Sequence, residues 1–103
     1  GKAIAKRFAQ EGACVVLNDN DADRLAGAKE EFLKTFGKDA FTSALLDVTS
    51  AETITDAHKE ACLAFGGVDI VVNCAGLSIS KPIEGTTEKD WDILFDVLVK
   101  GQY

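Results

Sequence analysis

Apolar positions along the chain follow two alternating patterns, a stripe at helical spacing and a short run apolar throughout. Residues 2–11 place Ile4 and Phe8 four apart with Ala5 and Ala9 beside them, and set Lys2, Lys6, Arg7 and Gln10 elsewhere, which predicts a short helix stopped by Gly12. Ala13–Leu17 is apolar at every position, as suits a strand covered by helices on both faces. It breaks at Asn18-Asp19-Asn20-Asp21. A second helix is predicted from about Asp21 to Phe36, where Leu25, Ala28, Phe32 and Phe36 share a face and Gly37 supplies the stop.

Ala40–Leu46 is the next predicted strand, ending at Asp47-Val48, and Thr49-Ser50-Ala51-Glu52 has capping-box spacing for a helix whose buried stripe is Ile54, Ala57, Ala61 and Phe65. Gly66-Gly67 closes that helix. Val68–Val72 is a third predicted strand, running into Asn73-Cys74-Ala75-Gly76. After a loop from Leu77 to about Thr86, Thr87-Glu88-Lys89-Asp90 opens a last helix with Trp91, Leu94 or Phe95, and Leu98 on one face. Strands recur at intervals of about 30 residues with a helix between them, the signature of right-handed crossovers in a parallel α/β sheet.

Charge narrows the function. Eleven Lys and Arg against 17 Asp and Glu give a net charge of −6, opposite to what contact with phosphate backbones requires, so nucleic acid and anionic membrane are set aside as partners. No apolar run approaches the roughly 18 residues of a membrane span, and Gly1-Lys2-Ala3-Ile4-Ala5-Lys6 lacks the pattern of a signal peptide. A cytoplasmic protein acting on a small molecule is expected. Cys14, Cys62 and Cys74 are odd in number and far apart, with His58 the only imidazole; this predicts reduced, mostly buried thiols and no metal site. The absence of an initiator Met, and helical patterns running up to both ends, predict a piece of a longer protein.

Open α/β sheets bind ligands beyond the carboxyl ends of their strands, which selects Asp19, Asp47 with Val48, and Asn73 through Gly76. Gly1 joins them as a glycine at a helix N-terminus, where backbone N–H groups approach a pyrophosphate. Asp19 follows Gly1 by 18 residues, near the roughly 20 that separate a dinucleotide fingerprint from the acid that accepts the ribose hydroxyls. Each residue has a blander role open to it. Asp19 can cap the helix near residue 21, Asp47 can be a solvated strand end, and Asn73–Gly76 can be only a turn, against the functional reading in which its small residues let backbone lie against a cofactor while Asn73 holds neighbouring strand ends together. His58 has no carboxylate or Cys partner at a fixed spacing, Cys62 fills the core, Trp91 packs, and Ser78 and Ser80 lack a nearby base; none of these is read as catalytic.

Gly1-Lys2-Ala3-Ile4-Ala5, Val15-Val16-Leu17-Asn18-Asp19, Asp47-Val48-Thr49 and Asn73-Cys74-Ala75-Gly76 resemble, in order, the motifs of the short-chain dehydrogenase/reductase family. The resemblance covers essentially the whole chain. It implies a partial Rossmann-type, doubly wound parallel sheet over residues 1–103, with three strands and four helices, no second domain in the chain, and the first strand and C-terminal half outside it. It implies NAD as cofactor, with Gly1 as the last glycine of the pyrophosphate loop, Asp19 on the adenosine ribose, Asp47 and Val48 at the adenine edge, and Asn73, Ala75 and Gly76 in the Asn-Asn-Ala-Gly segment, where Cys74 replaces the second Asn. A homo-oligomer is implied for the complete protein. More narrowly, Gly76-Leu77-Ser78-Ile79-Ser80-Lys81-Pro82, Trp91-Asp92 and Asp96-Val97 resemble the dehydrogenase domain of bifunctional rhamnulose-phosphate aldolase/short-chain dehydrogenases, which implies lactaldehyde or a sugar-derived alcohol as substrate. Ser78, Ser80 and Lys81 are expected to make the near wall of its pocket polar.

The family's catalytic Ser, Tyr and Lys have no counterparts here: Tyr103 is the only tyrosine and nothing follows it, so no catalytic residue is assigned within the chain. Leu98 stands where the family places an Asn that supports the catalytic Lys through water. Two other classes remain open on the residues alone. An AdoMet-dependent methyltransferase also carries an acid after its second strand, but Asn73–Gly76 does not suit its catalytic segment. A receiver-like signalling domain would use acidic strand ends to hold Mg²⁺.

Overall fold

The chain folds in the order α1 (Lys2–Gln10), β1 (Val15–Asp19), α2 (Ala22–Phe36), β2 (Phe41–Leu45), α3 (Ala51–Phe65) and α4 (Glu88–Leu98), with 3-10 turns at Ile83–Gly85 and Lys100–Gln102. This is a computed structural model, and it describes residues 1–103 throughout. β1 and β2 pair in parallel, Val15 opposite Phe41 through Asp19 opposite Leu45. A parallel pair needs a crossover, and α2 supplies it.

Local chemistry fixes the helix ends. The Asp21 carboxylate accepts the N–H groups of Asp23 and Arg24 and so caps α2. Ser50, not Thr49, caps α3, its hydroxyl accepting the Thr53 N–H, so the pairing of Thr49 with Glu52 does not form. The reason is that Thr49 is drawn back to Asp47, to which it donates from both its backbone and its hydroxyl. Gly66 ends α3 in the left-handed region at φ 84°, where a side chain would be strained. At α4 the predicted capping box forms between Thr87 and Asp90.

The core sits where α1 and α2 cover the sheet: Leu17, Leu25 and Phe32 are buried, with Ala5, Ala9, Val15, Ala28, Phe36 and Phe41 packed around them. Phe32 is wholly buried, its ring 5.1 Å from that of Phe36 and 5.6 Å from that of Phe41. Helix α1 meets this core through Ala5 and Ala9 and leaves Ile4 exposed, because small side chains allow closer approach to the sheet. Helix α3 packs on β2 and buries Ala57 and Ala61.

The predicted third strand does not join the sheet. Val68–Val72 has no strand partner, and Ile70 and Val71 are 65% and 74% exposed. A doubly wound sheet puts a further strand between this segment and β1, and the 103 residues contain none. The α/β parallel architecture and the four helices are present; the strand count is two. Helix α4 likewise buries no residue, and Trp91, 54% exposed, stacks on Phe95 at 5.9 Å instead of packing in a core. Cys14 and Cys74 are exposed and Cys62 is half-buried, all three as free thiols, which corrects the expectation of mostly buried ones. Cys14 precedes the first paired residue of β1 and Cys74 follows the unpaired segment, so no layer covers either. No helix is long and apolar enough to cross a membrane.

Candidate functional site

Asp19 is the last residue of β1, opposite Leu45, and its backbone carbonyl accepts the Leu46 N–H at 3.0 Å, so Asp47 follows two residues beyond at the carboxyl end of the adjacent parallel strand. The capping role open to Asp19 belongs to Asp21 instead. Oδ1 of Asp19 accepts the Asp21 N–H at 2.9 Å and Arg24 Nη2 at 3.0 Å. Arg24 also donates to Asn20 Oδ1 at 3.3 Å, so the guanidinium lies across the tip of the β1–α2 turn. The Arg24 N–H bonded to Asp21 holds that carboxyl below its usual value.

Asp47 opens a tight turn. Its Oδ1 accepts the Thr49 hydroxyl at 2.7 Å and the Thr49 N–H at 2.8 Å, which hold its carboxyl below the usual value. Its own N–H donates to Thr53 Oγ1 at 3.0 Å, and its carbonyl accepts the Ser50 N–H at 3.0 Å. Thr53 thus pins the strand end to the first turn of α3, and the Asp47 carboxylate is fixed and ionised at neutral pH.

Gly1, Val48, Asn73, Ala75 and Gly76 gather around the other end of the chain. A Cβ on Gly1 would lie 3.6 Å from Cys74 Cβ, so the N-terminus of α1 abuts the Asn73–Gly76 segment. Asn73 Nδ2 donates to the Gln102 carbonyl at 3.1 Å, and Gln102 Nε2 donates to the Ala75 carbonyl at 3.0 Å. Within residues 1–103, Asn73 thus ties its segment to the Lys100–Gln102 turn. A Cβ on Gly76 would sit 3.4 Å from Leu98 Cδ2. One on Gly101 would sit 2.6 Å from Val48 Cγ2, so only glycine lets that turn seat on Val48.

An open cleft of about 580 Å³ lies between the strand ends and α4, lined by Asn20, Asp47 and Thr49 on one side and by Leu77, Ile79 and Val97 among others on the opposite side. Asp47 is the one predicted site residue that lines it. The loop presents Leu77 and Ile79 to the cleft, while Ser78 and Ser80 are exposed and Lys81 is bound to both oxygens of Asp90 at 2.7 and 2.8 Å. The expected polar wall of Ser78, Ser80 and Lys81 is therefore absent from the cleft: alternate residues of an extended loop face opposite sides, and Lys81 is already paired. His58 does have a partner: its Nε2 lies 3.5 Å from Cys62 Sγ, one helical turn away on α3. No three His, Cys, Asp or Glu side chains converge where a metal ion could sit.

Arg24 and Gln102 are the site residues that sequence reasoning misses. Arg24 carries a faint signal, lying five residues after Asp19 on the first turn of a helix, whereas Gln102 is brought to Ala75 across 27 residues by tertiary structure alone.

The profile of a family whose description is short chain dehydrogenase matches residues 1–103. The chain belongs to the short-chain dehydrogenase/reductase family. The match does not favour the methyltransferase or receiver readings. Within the family, the chain is 40% identical over 106 residues to an uncharacterized oxidoreductase, YuxG, of Bacillus subtilis, all of the chain aligning with 15% of that protein. Among solved structures it resembles L-sorbose reductase from Gluconobacter frateurii, complexed with NADPH and L-sorbose, at 31% identity and a TM-score of 0.86, covering 99% of this chain and 38% of that one. It also resembles an alcohol dehydrogenase from the archaeon Thermococcus sibiricus, complexed with 5-hydroxy-NADP, at 32% identity and a TM-score of 0.86, covering 98% and 43%. The chain spans between 15% and 42% of the length of its first curated relatives.

Proposed function

We propose that residues 1–103 form the adenosine side of one nicotinamide-dinucleotide domain in an oxidoreductase of the short-chain dehydrogenase type. Gly1, Asp19, Asp47, Val48, Asn73, Ala75 and Gly76 face the cofactor, and the Ser, Tyr and Lys of catalysis belong to residues outside 1–103. The observation that carries this reading is the parallel register that sets Asp19 opposite Leu45, with Asp47 two residues beyond, at the strand ends where such sheets take ligands.

These residues fit a dinucleotide. The first amides of α1 have no side-chain cap, which leaves donors and the positive end of the helix for a pyrophosphate beside Gly1. Asp19 keeps Oδ2 for the ribose hydroxyls, because its two bonds converge on Oδ1. Asp47, fixed by Thr49, offers an acceptor to an exocyclic amine at the cleft. Asn73–Gly76 is small enough for backbone to lie against the cofactor. The bound nicotinamide supplies hydride acceptance or donation; this chain binds and orients the far half of the molecule.

Asp19 supports NAD over NADP: a 2′-phosphate about 4 Å from its carboxylate meets roughly 4 kcal/mol of repulsion per charge pair at an effective dielectric of 20. The NADPH and 5-hydroxy-NADP complexes of the two relatives belong to those proteins, and Arg24 beside Asp19 offsets part of the repulsion here. The substrate is proposed as a small alcohol or carbonyl, lactaldehyde or a sugar-derived compound. Its supports are the narrower motif resemblance and the L-sorbose bound by the Gluconobacter relative. A homo-oligomer acting on that substrate is part of the same proposal. Steady-state assays of the full-length protein with NAD on lactaldehyde, simple sugars and a hydrophobic secondary alcohol test it: the hydroxylated substrates should show the higher kcat/KM, and a preference for the hydrophobic alcohol would overturn the substrate class.

A further inference from the structure

We infer that Thr53 is a positioning residue that makes the site selective for a purine carrying an exocyclic amine, an inference that rests on the functional reading above. Asp47 stands just past β2, where the ladder to β1 has ended with the Leu46 N–H on the Asp19 carbonyl. Its own backbone groups must find partners elsewhere. The Thr53 hydroxyl meets both of them: Oγ1 accepts the Asp47 N–H at 3.0 Å and lies 2.9 Å from the Asp47 carbonyl, to which it donates. The Ser50 carbonyl, 3.1 Å away, competes for the same proton, and the Ser50 N–H returns to the Asp47 carbonyl at 3.0 Å. A hydroxyl is the short side-chain group that can accept from one backbone group and donate to another through a single atom.

The carboxylate is held separately. Thr49 donates its N–H and its hydroxyl to Oδ1, so Thr53 fixes the peptide of Asp47, Thr49 fixes its side chain, and Oδ2 is left as an acceptor at the cleft that Asp47 and Thr49 line. Every bond of this clamp runs between residues 47 and 53, and both elements it joins, β2 and α3, are present. The further strand of a doubly wound sheet belongs on the other side of β1, so the clamp stands unchanged in the complete protein. A held carboxylate can choose between neighbouring donors, and a loose one cannot. Adenine presents its amine as a donor beside an acceptor ring nitrogen, whereas hypoxanthine presents an oxygen acceptor beside a ring N–H. A carboxylate free to shift follows the donor from one position to the next. One pinned at its backbone by Thr53 faces the hypoxanthine oxygen with no proton between them, and that base is rejected.

The test uses the full-length protein with NAD and with its hypoxanthine analogue, in which the adenine amine is replaced by oxygen. Thr53→Val keeps the shape and loses the hydroxyl, Thr53→Ala loses it without setting a methyl against the Asp47 peptide, and Thr53→Ser keeps it. Calorimetric Kd for the two dinucleotides and for NADP, and the thermal midpoint, are measured for each. The wild-type protein should bind NAD about tenfold more tightly than the analogue. The two hydroxyl-free variants should narrow that ratio to roughly two- to threefold while leaving the ratio of NAD to NADP, which Asp19 sets, within about twofold, and Thr53→Ser should restore the wild-type ratio. Folded hydroxyl-free variants with an unchanged ratio, or a ratio of NAD to NADP that falls in step with it, would overturn the inference. So would failure of both hydroxyl-free variants to fold, which would mark Thr53 as a structural residue. Wild-type protein that binds neither NAD nor NADP would overturn the functional reading and this inference with it, whereas wild-type protein that binds NAD and the analogue equally would sink this inference alone.

Discussion

Arg24 Nη2 lies 3.0 Å from Asp19 Oδ1, and the two side chains are 66% and 34% exposed. A charge that sits beside the selecting carboxylate, and that water screens, changes selectivity more than stability. In the proposed site the Arg24 guanidinium softens rejection of a 2′-phosphate while leaving Asp19 Oδ2 to the ribose. Arg24→Gln in the full-length protein is expected to leave the thermal midpoint nearly unchanged and to widen the preference for NAD over NADP by roughly three- to tenfold. Paired Kd measurements for the two cofactors check this, and a narrowed preference would contradict it.

Acid titration should find Asp90 ionised well below its ordinary range. Its carboxyl lies at about 2 against the usual 3.8, chiefly because the Lys81 ammonium bonds both oxygens, with the Thr87 hydroxyl and N–H adding to it. A depressed carboxyl contributes stability that is fully present above 3.8 and is lost as the pH falls from there through about 2. Lys81→Ala should raise the Asp90 midpoint toward 3.8, and Thr49→Val should raise that of Asp47, whose shift comes first from the Thr49 hydroxyl. Carbon-detected NMR titration of the side-chain carboxyls reads both.

Phe32 is the most deeply buried side chain, with Phe36 and Phe41 against its ring. Phe32→Ala should destabilise the full-length protein by about 3–5 kcal/mol, from lost burial and the cavity left behind. Denaturant unfolding measures it. Leu33→Ala, one residue along α2 and 53% exposed, should change stability far less.

Gly101→Ala tests the seat on Val48. A methyl there would lie 2.6 Å from Val48 Cγ2, and the Asp96 carbonyl at 3.2 Å blocks retreat. Overpacking of this kind costs about 1–3 kcal/mol. The midpoint of thermal unfolding should fall accordingly, and Val48→Ala in the Gly101→Ala background should restore part of the loss; no recovery would show that the strain lies elsewhere.

The elements that were legible in the sequence are those whose signal is local. Leu25, Ala28, Phe32 and Phe36 recur at helical spacing, and that face is the one that meets the core. Thr87 and Asp90 stand three apart and form the box their spacing predicts. Val68–Val72 has strand composition, but a strand exists only through a partner's hydrogen bonds, and composition does not reveal whether the neighbour is present. Thr49 and Ser50 are equally good caps in sequence, and the choice falls to Ser50 because Asp47 competes for Thr49. The His58–Cys62 contact was open to a sequence reading, since i and i+4 meet on any helix. Arg24 and Gln102 were not: nothing local tells which acceptor a long side chain will find, and both reach theirs only because the turn and the fold bring it near.

The central claim is that the end of β1 holds the adenosine ribose, and calorimetric titration of the full-length protein and its Asp19→Ala variant with NAD and with NADP tests it without knowledge of the substrate. The wild-type protein should bind NAD at least tenfold more tightly than NADP, and Asp19→Ala should bring the two Kd values together by weakening NAD and strengthening NADP. Equal wild-type affinities, or a preference for NAD that survives Asp19→Ala unchanged, would contradict the account.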